Sequence, residues 1–217
     1  NGLRKLGLTI DEAHGFLECF HQERLQGCEI DLALPSVGAT ENIMLAASTA
    51  QGTTIIRNAA REPEISDLAD FLNGCGAKIH GAGERSVVIE GVDRLHGTEH
   101  TVIPDRIVAA TYLSAAAATK GTIHLREIIP AHLYPTIPVF TEAGCEVSVC
   151  GRELTMKAPS RLRPVKMVRT MAYPGFPTDA QPPVMAMLTV ADGNSMFVEN
   201  IFENRYKHVG ELTRLGA

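Results

Sequence analysis

Residues 52–91 read GTTIIRNAAREPEISDLADFLNGCGAKIHGAGERSVVIEG. Gly52 opens TTIIRNA, a run with the β-branched content of a strand. In EISDLADFLNGCG (64–76), Ile65, Leu68, Ala69 and Leu72 fall at helical spacing while Asp67 and Asp70 face elsewhere. Gly76 fits the left-handed position just past a helix C-terminus. AKIHGAGERSVVIEG then places alternating strands around a Gly-rich turn, the pattern of a hairpin. Upstream, EIDLAL (29–34) reads as a strand and ENIMLAASTA (41–50) as an Ala-rich helix. The order is βαβαββ.

This unit recurs. Strand-like runs open at Gly52 (GTTIIRNA), Gly121 (GTIHLREI) and Gly193 (GNSMFVEN), and helix-like runs close at Gly7, Gly76, Gly144 and Gly216. Both series step by about seventy residues, and two series in phase mark a structural repeat. LTIDEAHGFLECF (8–20) is then the hairpin tail of an earlier copy. There is no initial methionine, and ELTRLGA stops just after a helix-like run, so the chain reads as cut from something longer.

With 217 residues and 45% hydrophobic content the chain can bury a real core. The apolar run IVAATYLSAAAA (107–118) falls short of the ~18 residues that span a bilayer, so no membrane insertion is expected. A net charge of −5 gives no basic footprint for nucleic acid. Cysteines at 19, 28, 75, 145 and 150 show no CxxC spacing and read as reduced packing residues of a cytoplasmic protein. The eight histidines are dispersed without HxH or HExxH, so a metal site is not expected.

In register, the repeats align three strand-to-helix loops: PSVGAT (35–40), PDRIVAAT (104–111) and FPTDAQPP (176–183). The first N–H groups of a helix lack intrahelical partners and carry the positive end of its dipole, which suits phosphate. Ser36 and Gly38 would admit such an anion, although Ser36 also suits an ordinary N-cap. Packing around a pseudo-threefold axis would gather the three loops.

PSVGATENIMLAA (35–47), NAAREPEISDLADFLNGCGAKI (58–79), PDRI (104–107), FPTDAQ (176–181) and FENRYKHVGEL (202–212) resemble, in order, segments of the enolpyruvyl transferases. The likeness is strongest to the branch acting on UDP-N-acetylglucosamine. The Gly-Asn-Ala-Gly motif of the branch acting on shikimate 3-phosphate is not found here. The resemblance implies an α/β fold, an inside-out α/β barrel of six βαβαββ units in two lobes, of which this is a partial chain. Residues 1–103 would be the C-terminal part of one lobe and 104–217 the first part of the other. It implies transfer of the enolpyruvyl group of phosphoenolpyruvate to the 3′-hydroxyl of UDP-N-acetylglucosamine in peptidoglycan precursor synthesis, with no cofactor. The family's reactive cysteine would lie upstream, so the isolated chain is expected to be inactive.

Carried over residue by residue, the resemblance makes Asp179 the catalytic carboxylate, with a helix cap as its alternative. Leu34, Pro35, Ser36, Val37 and Gly38 would meet the uridine nucleotide, and Ile201 would touch substrate through its backbone or else be a core strand residue. Asp105 and Arg106 would serve the site or link the lobes by a salt bridge. Arg205 would support Asp179 or the phosphate region. Arg61 and Glu62 read as a loop staple, and His208 as a packed or surface histidine. Val108 and Ala110 depart from the family's PDRIEAGT, and some members have lysine where Leu34 stands. A catalytically silent, nucleotide-sugar-binding paralogue with a regulatory or scaffold role therefore stays open as an alternative.

Overall fold

The computed structural model describes residues 1–21 and 23–217. The chain divides into two compact units, Asn1–Val102 and Ile103–Ala217. The first runs α1 (Gly2–Lys5), β1 (Thr9–Ala13), β2 (Phe16–Phe20), β3 (Glu29–Asp31), α2 (Val37–Ala47), β4 (Thr53–Arg57), α3 (Pro63–Gly74), β5 (Lys78–His80) and β6 (Ser86–Glu90). From β3 to β6 this is one whole βαβαββ module, with strand order β3-β4-β6-β5. β3 and β4 are parallel, Ile30 opposite Ile56, while β6 runs antiparallel to both β4 and β5. Alternation along β4 and β6 turns Thr54, Ile56, Val87 and Ile89 inward, where α2 contributes Ile43 and Met44 and α3 contributes Ile65 and Leu72. Each large apolar side chain so buried contributes about 1.5–3 kcal/mol of transfer free energy.

The second unit continues with α4 (Arg106–Ala118), β7 (Thr122–Leu125), α5 (Pro130–Leu133), α6 (Ile137–Glu142), β8 (Glu146–Cys150) and β9 (Glu153–Lys157). Next come β10 (Met167–Arg169), a 3-10 turn (Thr178–Ala180), α7 (Gln181–Leu188), β11 (Met196–Val198) and α8 (Lys207–Arg214). The counterpart of α3 is here split into α5 and α6. Pro135 lies between them, and a proline removes an N–H and crowds the preceding turn. β7, β9 and β8 form one antiparallel sheet, and β10 pairs in parallel with β11, Val168 opposite Phe197. The small face of α4 (Ala109, Ala110, Leu113, Ala117) joins Val184, Met187 and Leu188 of α7 in this unit's core.

The glycine series has one structural cause. Gly7, Gly76, Gly144 and Gly216 have φ between +96 and +99°, each two residues past the end of α1, α3, α6 or α8. In every case the glycine N–H bonds back to the residue three earlier, and the next N–H reaches the carbonyl five earlier: Leu8 to Leu3, Ala77 to Leu72, Cys145 to Phe140, Ala217 to Leu212. That pair of bonds is the Schellman cap, and only glycine enters its left-handed position without steric cost.

Several boundaries differ from the sequence reading. The strand expected over 29–34 ends at Asp31, and the helix expected from 41 begins at Val37. Pro35 cannot donate to a ladder, and Ser36 nucleates the helix early by capping it. The cysteines need correction too. Cys75 and Cys145 are buried and Cys28 partly so, but Cys19 and Cys150 are exposed, on β2 and β8. Both strands lie at sheet edges with an uncovered face, which residue type alone does not reveal. Burial pushes the Cys145 thiol up, and also that of Cys28, where Lys5 acts weakly in the opposite sense. Among the described residues no helix is long and apolar enough to cross a membrane.

Candidate functional site

In the first unit the loop after β3 is held from behind. Ser36 caps α2: its Oγ accepts from the Ala39 N–H at 3.3 Å, and its carbonyl accepts from the Thr40 N–H and hydroxyl. Thr40 is buried, and its Oγ1 accepts from the Ala60 N–H at 3.0 Å, which fastens the start of α2 to the segment after β4. In front the loop is open. Leu34 is exposed, and a Cβ built on Gly38 would meet nothing within 4 Å. So Ser36 is a true N-cap, and the backbone ahead of it remains approachable. Glu41, on the next turn, has its carboxyl pushed up by burial and then by the like charges of Glu64 and Glu62. Arg61 does act as a staple: its Nε donates to the Gly83 carbonyl in the turn between β5 and β6, and its N–H donates to Glu62.

The matching loops of the second unit divide their roles differently. Asp105 Oδ1 accepts from the N–H groups of Ile107 at 2.7 Å and Val108 at 3.0 Å, capping α4. Arg106 is buried, its guanidinium 5.5 Å from the centroid of the Tyr173 ring. Asp179 lies within the 3-10 turn, and α7 starts from Ala180 without a side-chain cap, so the capping alternative fails for this residue. Its carboxylate instead pairs with the Arg205 guanidinium, which also lies over the Phe202 ring. Asp179 remains more than half exposed. An exposed pair of this kind is worth about 0–1 kcal/mol, so the guanidinium can give way to another partner.

Ile201 is neither buried nor in a strand; it lies past the end of β11 and is 37% exposed. What shapes it is Glu199, a residue the sequence reading passed over. Glu199 Oε1 accepts from the N–H groups of Ile201 at 2.9 Å and Phe202 at 3.2 Å, while Oε2 accepts from the Thr178 hydroxyl at 2.9 Å. The Thr170 hydroxyl bonds the same carboxylate. Burial would raise this carboxyl, but the four hydrogen bonds outweigh it and hold Glu199 below the usual carboxylate range. Gln181, which opens α7, is 1% exposed and its amide has no hydrogen-bond partner among the described residues. His208 is half-buried, its Nε2 likewise unpartnered there.

The second unit thus brings Asp179, Arg205 and Ile201 together, and α4, carrying Asp105 and Arg106, packs against the 3-10 turn. Leu34, Pro35, Ser36, Val37 and Gly38 all belong to the first unit. A cleft in the second unit, between the start of α4 and Ile128–Leu133, is lined by Asp105, Arg106 and His132. The sole sequence sign of Glu199 was its place near the end of the strand-like run GNSMFVEN (193–200).

Comparison with known proteins agrees with this architecture. The UDP-N-acetylglucosamine 1-carboxyvinyltransferase 2 of Caldanaerobacter subterraneus subsp. tengcongensis is 52% identical over 216 residues, covering 100% of this chain and 52% of that protein. UDP-N-acetylglucosamine 1-carboxyvinyltransferase 1 of Carboxydothermus hydrogenoformans is 50% identical, with 51% of it covered. The chain spans about half the length of the curated relatives it matches. The crystal structure of the enolpyruvyl transferase NikO from Streptomyces tendae superposes with a TM-score of 0.84 at 26% identity, over 99% of this chain and 54% of that one. EPSP synthase from Acinetobacter baumannii shares the fold, at a TM-score of 0.64 and 20% identity over 97% of this chain and 51% of its own. The inside-out α/β fold that the resemblance implied, and with which the repeat agrees, is therefore the one found. Because the family model matches residues 1–217 without a gap at either end, the chain belongs to the EPSP synthase (3-phosphoshikimate 1-carboxyvinyltransferase) family.

Proposed function

We propose that the whole protein transfers the enolpyruvyl group of phosphoenolpyruvate to the 3′-hydroxyl of UDP-N-acetylglucosamine, in the cytoplasm, as the first committed step of peptidoglycan precursor synthesis. Residues 1–103 are the C-terminal part of one lobe and 104–217 the first part of the other. The observation that carries this reading is identity of about half, over the whole chain, to transferases named for that substrate. The exposed Asp179 carboxylate, paired with Arg205 and spared from capping, is compatible with it.

In the addition step the C2–C3 double bond of phosphoenolpyruvate opens as the sugar 3′-oxygen bonds to C2, the hydroxyl proton passes to Asp179, and a general acid outside residues 1–217 delivers a proton to C3. In the elimination step C3 loses a proton, the C2–C3 double bond re-forms, and the C2–oxygen bond breaks to release phosphate. Asp179 suits the first transfer because a positioned carboxylate can accept a proton along a short hydrogen bond. Arg205 stays charged throughout and balances the carboxylate before it is protonated. Leu34, Pro35, Ser36, Val37 and Gly38 offer an open helix N-terminus to the nucleotide's phosphates. Ile201 presents backbone to the sugar nucleotide, and Asp105 and Arg106 shape the neighbouring wall.

Phosphate release by the full-length protein with both substrates tests the reading. Asp179→Asn is expected to lower kcat by about 10²–10⁴-fold, the usual range for a general acid–base group. Unchanged turnover would remove Asp179 from the mechanism. Binding of UDP-N-acetylglucosamine without any turnover by the wild type would point instead to a silent paralogue.

A further inference from the structure

Asp179 and Arg205 come from different segments, the 3-10 turn before α7 and the turn before α8, and neither is secured by its own ion pair. An exposed carboxylate–guanidinium pair is too weak to fix the two segments within a fraction of an ångström. Glu199 joins them. Its Oε2 takes the hydroxyl of Thr178, the residue immediately before Asp179, and its Oε1 takes the backbone N–H groups of Ile201 and Phe202, which begin the turn leading to Arg205. The same carboxylate bonds the hydroxyl of fully buried Thr170, just past the end of β10. Thr170 is fixed in turn: its Oγ1 accepts from the Asn200 N–H at 2.9 Å, and its own N–H donates to the Val198 carbonyl. One carboxylate therefore ties the proton-accepting turn and the substrate-facing turn to the paired ends of β10 and β11.

The first unit shows what this arrangement adds. There Leu32 donates to the Arg57 carbonyl as Thr170 does to Val198, and the Asn58 side-chain amide reaches the Leu32 carbonyl as Asn200 reaches that of Thr170. Asn58 follows Arg57 directly, whereas Glu199 stands between Val198 and Asn200. The corner after β11 has one residue more than the corner after β4, and that residue is the carboxylate.

We propose that Glu199 is a positioning residue for the transfer reaction, setting the distance between Asp179 and the Ile201 backbone through its bonds to Thr178, Ile201 and Phe202. The inference rests on the assignment of Asp179 above. Charge-assisted bonds to an ionised carboxylate are the strong kind, and its lowered proton affinity keeps Glu199 charged at working pH. Glutamine can preserve the geometry: its oxygen still faces the two N–H groups, and its NH2 can donate to two hydroxyls that turn to accept.

The test uses the full-length protein, phosphate release and saturating substrates. Glu199→Ala is expected to lower kcat by about 10²-fold, the usual cost of misplacing a reacting group by an ångström, and Glu199→Gln to stay within about fivefold of wild type. KM for phosphoenolpyruvate should move less than kcat. Thr178→Val is expected to lose about tenfold in kcat and Thr178→Ser to restore it, since serine keeps the hydroxyl. If Glu199→Ala does not fold, the Thr178 pair decides. A fall in melting temperature with kcat unchanged in Glu199→Ala and Thr178→Val would reduce these bonds to fold maintenance and overturn the proposal. Asp179→Asn is run beside them: if it is silent, the assignment of Asp179 fails first; if it is nearly inactive while Glu199→Ala and Thr178→Val are normal, the positioning role alone fails.

Discussion

Asp105 and Asp179 occupy matching loops of successive repeats, yet their carboxylates go to different partners. Asp105 directly precedes its helix, so its Oδ1 lies within reach of the next free N–H groups. Asp179 is two residues ahead of α7 and already inside a 3-10 turn, which aims its side chain away from those donors and toward Arg205. Counted back from the repeat glycines, Gly121 and Gly193, the two residues stand only two positions apart in register, and backbone geometry is what separates cap from free carboxylate. Replacing Asp105 by Ala should cost about 1 kcal/mol, the usual value of an N-cap, measurable by chemical denaturation. Glu199 carries a pH signature. Its folded-state pKa is depressed, so the stability it contributes is present above the ordinary carboxylate value and is lost as pH falls through the folded value. Glu199→Gln should therefore melt below wild type at neutral pH, with the gap closing only as pH falls beneath the ordinary carboxylate range and through the depressed folded value, where wild type itself becomes protonated. A gap that is constant with pH would contradict this.

Among the elements, the helix C-caps are the most regular feature of the chain. Four helices of different sequence and length end in the same two hydrogen bonds around a left-handed glycine. Their regularity explains why a glycine series exposed the repeat when the strands and helices, read singly, did not. Gly76→Ala places a Cβ at φ +96° and also against the His96 ring, so it should destabilise by about 1–3 kcal/mol, with the unfolding midpoint as the readout. Strand and helix boundaries were less legible. β3 is shorter than its apolar pattern, because Leu32 makes one last bond to Arg57 before Pro35 turns the chain. The helix pattern that continues as one element in α3 breaks into α5 and α6, where prolines override the apolar periodicity.

For the molecule as a whole, the apolar residues left in contact with solvent are informative. Phe16, Leu17 and Phe20 lie 51–72% exposed on a two-stranded hairpin, and α8 has no buried residue. Isolated two-stranded hairpins are marginal in water, and apolar surface of this kind favours association. Purified residues 1–217 should thus form concentration-dependent oligomers in sedimentation, and should release no phosphate from the two substrates. Measurable turnover by this chain alone would contradict the assignment of further catalytic groups to the rest of the protein.

The sequence by itself determined the module and its period, since left-handed caps demand glycine and parallel and hairpin strands demand their own alternation, all of which are local requirements. It also marked the loops that precede each first helix. Only the tertiary structure decided which of those loops caps its own helix and which leaves a carboxylate for Arg205. It alone revealed the role of Glu199, because two partners of that side chain, Thr178 and Thr170, lie 21 and 29 positions back, and no local pattern encodes a hydrogen bond between segments that meet only after the strands have paired.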